Sequence, residues 1–271
     1  NDIYPCSGAH WFGKTISLSA DGTTIGINSN DSIKIYHFKN NNWYMTGNIV
    51  PGKSERVGSL SFSLNSDGSR IAVGTGYFTD PTDRWFNSGN FRVLEYKGGS
   101  WKQLGNNIEG DPDIDYSDLC VSFSNDGSTF IASVPNYQEK DSEFQGNARI
   151  YKYKMKKWKQ IGNEINGISS SDYMGKVSSI SHDGSIIALS GVTSLNNKEG
   201  IGSVRIYYYK SGKWILLGKD IKGSEYFGAF PSSICLSSDG TVIAIGASTF
   251  SRGPYTNVGE VRVYQLINMN K

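Results

Sequence analysis

The sequence predicts an all-β fold: a five-bladed β-propeller of four-stranded antiparallel blades, built from residues 1–271 as a single domain. Two observations predict it. One short motif is written five times, as "SLSADG" (17–22), "SLNSDG" (63–68), "SFSNDG" (122–127), "SISHDG" (179–184) and "CLSSDG" (235–240). Around each copy the apolar residues alternate with period two, the signature of a strand, and the spacing of 46 to 59 residues between copies suits one four-stranded blade. The distance from the isoleucine that closes one unit to the next Asp-Gly aspartate is always 18 residues (Ile3 to Asp21, Ile49 to Asp67, Ile108 to Asp126, Ile165 to Asp183, Ile221 to Asp239). A fixed connector between variable units means that each unit packs on its neighbour in one geometry.

The first strand of each unit carries an apolar pair two residues apart, such as Ile16 and Leu18, Phe62 and Leu64, Val121 and Phe123, or Ile234 and Leu236. The Asp-Gly pair follows as a hairpin turn, because glycine accepts the positive φ that a tight turn demands. The second strand is short and apolar: "TIGIN", "IAVG", "IASV", "IALS", "IAIG". The third reads "IKIYHF", "FRVLEY", "ARIYKY", "VRIYYY" and "VRVYQL", usually opened by glycine. The fourth holds W-x-x-L-G-x-x-I, from Trp101 to Ile108, Trp158 to Ile165 and Trp214 to Ile221, with a version one residue shorter from Trp43 to Ile49. Tyr36, Tyr151, Tyr207 and Tyr264 share a column and are expected between blades; the arginines beside them (Arg92, Arg149, Arg205, Arg262) are expected to pair with a neighbouring blade. The fifth unit lacks its Trp strand. "NDI" at the N-terminus matches the end of a fourth strand, so that blade is closed either by residues upstream of Asn1 or by "INMNK" as an edge. The chain begins without Met and is expected to be a processed or trimmed product.

Composition narrows the function. With 27 basic and 25 acidic residues the net charge is +2, which offers no footprint for nucleic acid or an anionic membrane. No apolar run is long enough to cross a bilayer, so membrane insertion is not expected. Cys6, Cys120 and Cys235 form no C-x-x-C pair and read as small buried thiols. His10, His37 and His182 are isolated, and no nucleophile elbow, phosphate loop or H-E-x-x-H is present. The recurring aspartates belong to turns. The chain is therefore expected not to be an enzyme, although a propeller glycosidase, whose two carboxylates can come from distant blades, is the hydrolytic alternative.

The units resemble the SLSxDG/GxVRVY/WxQLG repeat propellers of large surface and secreted proteins, with "WKQLGNNIEG" (101–110) and "GEVRVY" (259–264) as close matches. That group is FG-GAP-like in style and distantly WD-repeat-like. The resemblance implies a propeller and a role in adhesion or recognition at an extracellular, cell or particle (virion) surface.

The variable loops between second and third strands share a face with the blade-to-blade connectors, and here the sequence spends its diversity. Tyr77, Arg84, Trp85, Tyr137, Phe250 and Tyr255 lie in these loops. Aromatic rings among polar groups are what a glycan or a partner protein would use. Recognition of such a partner is the leading expectation, and a purely architectural unit in a larger assembly is the alternative. The connector "DPDIDYSD" (111–118) offers Asp111, Asp113 and Asp115 as a weak calcium candidate. Its sixth position is Tyr116, where a calcium loop of the D-x-D-x-D-G type needs glycine, so a solvated acidic connector is the commoner explanation and no cofactor is otherwise expected.

Overall fold

The structure is a computed structural model. It describes residues 2–5, 12–29, 32–50, 59–76, 78–79, 85–86, 89–110, 118–137, 144–169, 171–195, 198–223, 230–251 and 255–266, with the backbone alone at 59, 78–79, 85–86, 193–195 and 198–200.

Every regular element described is a strand, and the sheets form the five blades of a β-propeller. Blade one runs Ile16–Leu18, Thr24–Ser29, Ser32–Lys39, Asn42–Ile49 in spatial as in chain order. Blade two is Ser59–Leu64, Arg70–Gly76, Asn90–Lys97 and Ser100–Gln103 with Ile108–Glu109; blade three is Cys120–Phe123, Thr129–Val134, Asn147–Lys154 and Lys157–Gln160 with Ile165–Asn166. Blade four is Ser178–Ile180, Ile186–Leu195, Lys198–Lys210 and Lys213–Leu216 with Ile221–Lys222. Blade five shows three strands among the described residues, Ser233–Leu236, Val242–Ala247 and Glu260–Gln265. Residues 2–5 form no strand.

In blades two to four the fourth strand is not one element, as the motif suggested, but two pieces that both pair with the third strand. The break falls at the Leu-Gly of W-x-x-L-G, where Gly105, Gly162 and Gly218 take φ of +81°, +71° and +72° and leave the ladder. The break makes room for the next blade. A Cβ on Gly105 would lie 2.8 Å from Cδ1 of Trp158, and one on Gly162 2.6 Å from Cδ1 of Trp214. Each indole N–H then donates to the backbone of the preceding blade, Trp158 to the Leu104 carbonyl at 2.8 Å and Trp214 to the Ile161 carbonyl at 3.0 Å. The amides of Trp158 and Trp214 donate likewise to the side chains of Asn106 and Asn163. In blade one, whose motif is a residue shorter, the register slips by a bulge, and the indole N–H of Trp101 is buried with no acceptor. The tryptophan and the glycine of the motif are thus two halves of one interblade joint.

The Asp-Gly turns are locked by their flanking hydroxyls. Asp126 accepts from Ser124 Oγ at 2.6 Å and from the Ser128 amide at 2.9 Å, and the Thr129 amide donates to Ser124 Oγ at 2.9 Å. The same bonds recur around Asp21, Asp183 and Asp239. Hydrogen bonds to the ionised form hold the Asp21 and Asp239 carboxyls at about 2. At Asp67 and Asp126 burial pushes the other way, yet the hydroxyl and amide bonds prevail and both carboxyls lie below their ordinary value. Backbone bonds link the turns of successive blades, from the Ala20 amide to the Ser66 carbonyl, Ser66 to Asn125, Asp126 to His182 and His182 to Ser238.

The core lies between blades. Four apolar clusters fill the four junctions, for example Ile131, Ile150 and Ile165 of blade three against Met174, Ile187, Leu189 and Trp214 of blade four. Tyr151, Tyr207 and Tyr264 belong to these clusters, as their column predicted. Burial raises the Tyr207 phenol to about 12, in keeping with its place against the cluster between blades three and four.

The loop-bearing face as candidate functional site

The face opposite the Asp-Gly turns is built from the second-to-third strand loops and the connectors. Its most prominent feature was expected to be a loop. Residues 191–202 instead continue the blade-four sheet as a hairpin, with Val192 paired to Gly202, Thr193 to Ile201 and Leu195 to Lys198. The second strand of blade four thereby extends four residues past the matching end of blade three, roughly 13 Å of strand. The β-branched residues Val192, Thr193 and Ile201 favour this extension. Blade two carries a smaller ribbon, Phe78–Thr79 paired with Trp85–Phe86.

Trp85 stands in that ribbon opposite Thr79. Tyr77 and Arg84 lie outside the described residues, as do Asp111, Asp113 and Asp115. Tyr137 is half-buried and packs on the cluster between blades two and three, and Phe250 packs on the one between blades four and five. Tyr255 is exposed. The six recognition candidates therefore do not form one demonstrated patch: two are engaged in packing and one is displayed. Phe144, another aromatic of these loops, stacks on Tyr173 with centroids 5.6 Å apart, tying the blade-three loop to the next connector. Beside Tyr137 a cavity of about 20 Å³, lined also by Asn147, Arg149 and Glu109, has room for about one water and not for a ligand.

Among the described residues of this face, one knot of charges is buried. Asp172, in the connector to blade four, is fully buried and accepts from Arg205 Nη1 at 2.7 Å, the Ile168 amide at 2.7 Å and the Val192 amide at 2.6 Å. Arg205 Nε also reaches Asp220 at 3.1 Å. Burial works against the Arg205 cation, but the two carboxylates more than offset it and hold it charged. Elsewhere in the column Arg92 donates to the Val50 carbonyl, just past the end of blade one, and Arg262 to the Lys222 carbonyl, in the last strand of blade four, while Arg149 meets Glu164 of its own blade. The pairing expected beyond the blade holds for Arg92, Arg205 and Arg262. Asp172 itself was missed. Its signal was positional: it stands eleven residues before the Asp-Gly aspartate Asp183, and Asp115 occupies the same column before Asp126. Of the acidic connector, Asp118 is described and lies 3.8 Å from Lys176, both exposed. Among the described residues no group of three or more His, Cys, Asp or Glu converges on a metal-sized site.

No protein-family model matches the chain, and no curated protein matches it in sequence. Solved structures do match its shape. A putative 6-phosphogluconolactonase from Bacteroides fragilis NCTC 9343 is similar over 92% of this chain and 69% of its own, at 12% identity and a TM-score of 0.53. The β-propeller domain of Cps50 (Swd1) from Myceliophteria thermophila is similar over 92% and 69%, at 10% identity and a TM-score of 0.52. The tricorn protease is similar over 93% of this chain and 25% of its own, at 9% identity and a TM-score of 0.51. At such identities the likeness establishes the propeller fold alone.

Proposed function

We propose that this propeller is a non-catalytic recognition module that binds a glycan or a partner protein through its loop-bearing face. The observation that carries the reading is the blade-four hairpin, a strand-paired extension that no repeat requirement explains, on the face where the sequence varies most. The carboxylates support it from the other side. Asp21, Asp126, Asp183 and Asp239 are engaged in turns, Asp172 and Asp220 hold Arg205, and Glu95, Glu164 and Glu260 hold Arg70, Arg149 and Arg262. A general acid or base needs a carboxyl held for substrate, and these are held for the fold.

A glycan array and a labelled-protein binding screen test this reading on two proteins, the natural chain and a variant in which residues 193–201 are replaced by a two-residue turn, leaving the Val192–Gly202 pair in place. Binding that is lost in the variant, at unchanged melting temperature, is expected. Hydrolysis of a polysaccharide, or of the lactone after which the bacterial neighbour is named, would overturn it. An architectural role is the second reading, favoured by the two end faces considered next.

A further inference from the structure

Each blade has two unlike faces. The one toward the preceding blade carries the first-strand apolar pair, and the one toward the following blade carries the apolar pair of the third strand. Inside the molecule both are covered. Phe62, Leu64, Val121, Phe123, Ile180, Ile234 and Leu236 are all buried, and so are Ile33 and Ile35, Phe91 and Val93, Ala148 and Ile150, and Val204 and Ile206. At the two ends of the arc the same columns are open: Ile16 is 62% and Leu18 54% exposed on blade one, and Val261 is 74% and Val263 65% exposed on blade five.

The glycines mark the same vacancies. A Cβ on Gly68, Gly127, Gly184 or Gly240 would come within 2.5 to 2.9 Å of the preceding blade, whereas nothing lies within 4 Å of one on Gly22. The glycine that opens the third strand is overlain by the next connector, Gly146 by the backbone of Met174 and Gly202 by the carbonyl of Phe230. At Gly259 the nearest atoms are carbonyls of its own blade, 3.6 and 3.7 Å away. An open recess of about 430 Å³ lies there, lined by Gly246, Val258, Gly259 and Val261 among others. Blade one owns the matching plug, because Phe12 stands in the column of Met174 and Phe230.

We propose that these two faces receive one partner, a segment of two more blades built on this same repeat, which bridges blade five to blade one and closes the ring. The pattern of each face sets the chemistry of the occupant: an apolar plug before glycine for the seat at Gly259, and a third-strand apolar pair to cover Ile16 and Leu18. Its size follows from the neighbours, of which this chain fills 69%, leaving the length of roughly two further units. A second copy would bring five blades, too many for that gap. Contiguous exposed apolar surface of this kind marks a contact site. The inference does not depend on what the loop-bearing face binds.

The test extends the whole chain. Replacing residues 267–271 with a second copy of residues 97–222 completes the fourth strand of blade five in repeat register and adds two blades. The extended protein is expected to sediment as a monomer, to bind less of a hydrophobic dye than the natural chain does, and to melt at least about 5 °C higher. Val261→Asp with Val263→Asp should abolish that gain in the extended protein and leave the melting temperature of the natural chain nearly unchanged, with circular dichroism checking the fold of both. An extended protein no more stable than the natural chain, or equal cost of the double substitution in both, overturns the proposal. So does concentration-dependent self-association of the natural chain that Val261→Asp removes, since a second copy would then be the occupant.

Discussion

Removing the Asp172 carboxylate should be among the most damaging single changes available to the fold. Asp172→Ala leaves Arg205 Nη1, buried with 2% of its side chain accessible, without its shortest acceptor, and strands the amide of Ile168, while the Val192 amide keeps the Asp172 backbone carbonyl at 2.7 Å. Breaking a buried ion pair by removing one partner costs about 3–5 kcal/mol. Here Asp220 still faces Arg205 Nε and limits the loss on the cation side, while the stranded Ile168 amide adds about 1–3 kcal/mol if water cannot reach it. We expect about 4 kcal/mol in total, read as a lower urea midpoint at unchanged m-value, and a melting temperature lower by roughly 10 °C. Arg205→Met alone should cost a similar amount, since it leaves a buried carboxylate with only amide donors. The two together should cost much less than their sum, because an apolar side chain of similar volume then fills the space of the pair. A loss below about 1 kcal/mol for Asp172→Ala, or simple additivity in the double variant, would refute the assignment of the knot as the tie between blades three and four.

Four further outcomes are expected. Gly162→Ala and Gly218→Ala both place a side chain at positive φ, but only the first meets an indole, so calorimetry should show Gly162→Ala costing about 1–3 kcal/mol more than Gly218→Ala. The turn carboxyls of Asp21 and Asp239 sit at about 2 in the fold against an ordinary 3.8, so their contribution is whole above pH 4 and is lost as the pH falls toward 2; Asp21→Asn with Asp239→Asn should flatten acid unfolding in that window, followed by circular dichroism. Met155 and Lys156 take φ of +52° and +61° at an exposed two-residue hairpin turn, and exchanging them for Asn-Gly should stabilise the protein by about 1 kcal/mol in urea unfolding. A chelator should leave the melting temperature unchanged, since Asp115 shares the column in which Asp172 serves an arginine; a fall in melting temperature on chelation, restored by calcium, would return Asp111, Asp113 and Asp115 to the status of ligands.

The blade count, the strand order and the turn chemistry were legible in the sequence because each is written several times in one register, and repetition averages out local ambiguity. The Trp and Gly of W-x-x-L-G were legible as a motif but not as partners, since the two that touch belong to different copies. Asp172 was hidden for the opposite reason: it occurs in two connectors of five, so no periodicity advertises it, and its arginine lies 33 residues away. The loop-bearing face was least legible. The hairpin at 191–202 is matched among the described residues only by the two-residue ribbon of blade two, and whether Tyr137 or Phe250 is displayed or packed depends on contacts with a neighbouring blade. The end faces could not be read at all, because the sequence of Val261 and Val263 is that of Val204 and Ile206, and only the fold reveals which pair is covered.

The joint between tryptophan and glycine also gives the molecule a direction of failure. Each blade from two to four sends its indole backward onto the one before, so the stability of a blade depends on its follower only through the seat it offers. Among the described residues nothing fills the seat that Gly218 offers. Among those residues the junction between blades four and five is therefore the one without that latch, and a chain of nearest-neighbour contacts opens first where its coupling is weakest. Amide exchange would run inward from blade five, and the exposed Cys235 thiol lies within the part that lets go before the rest.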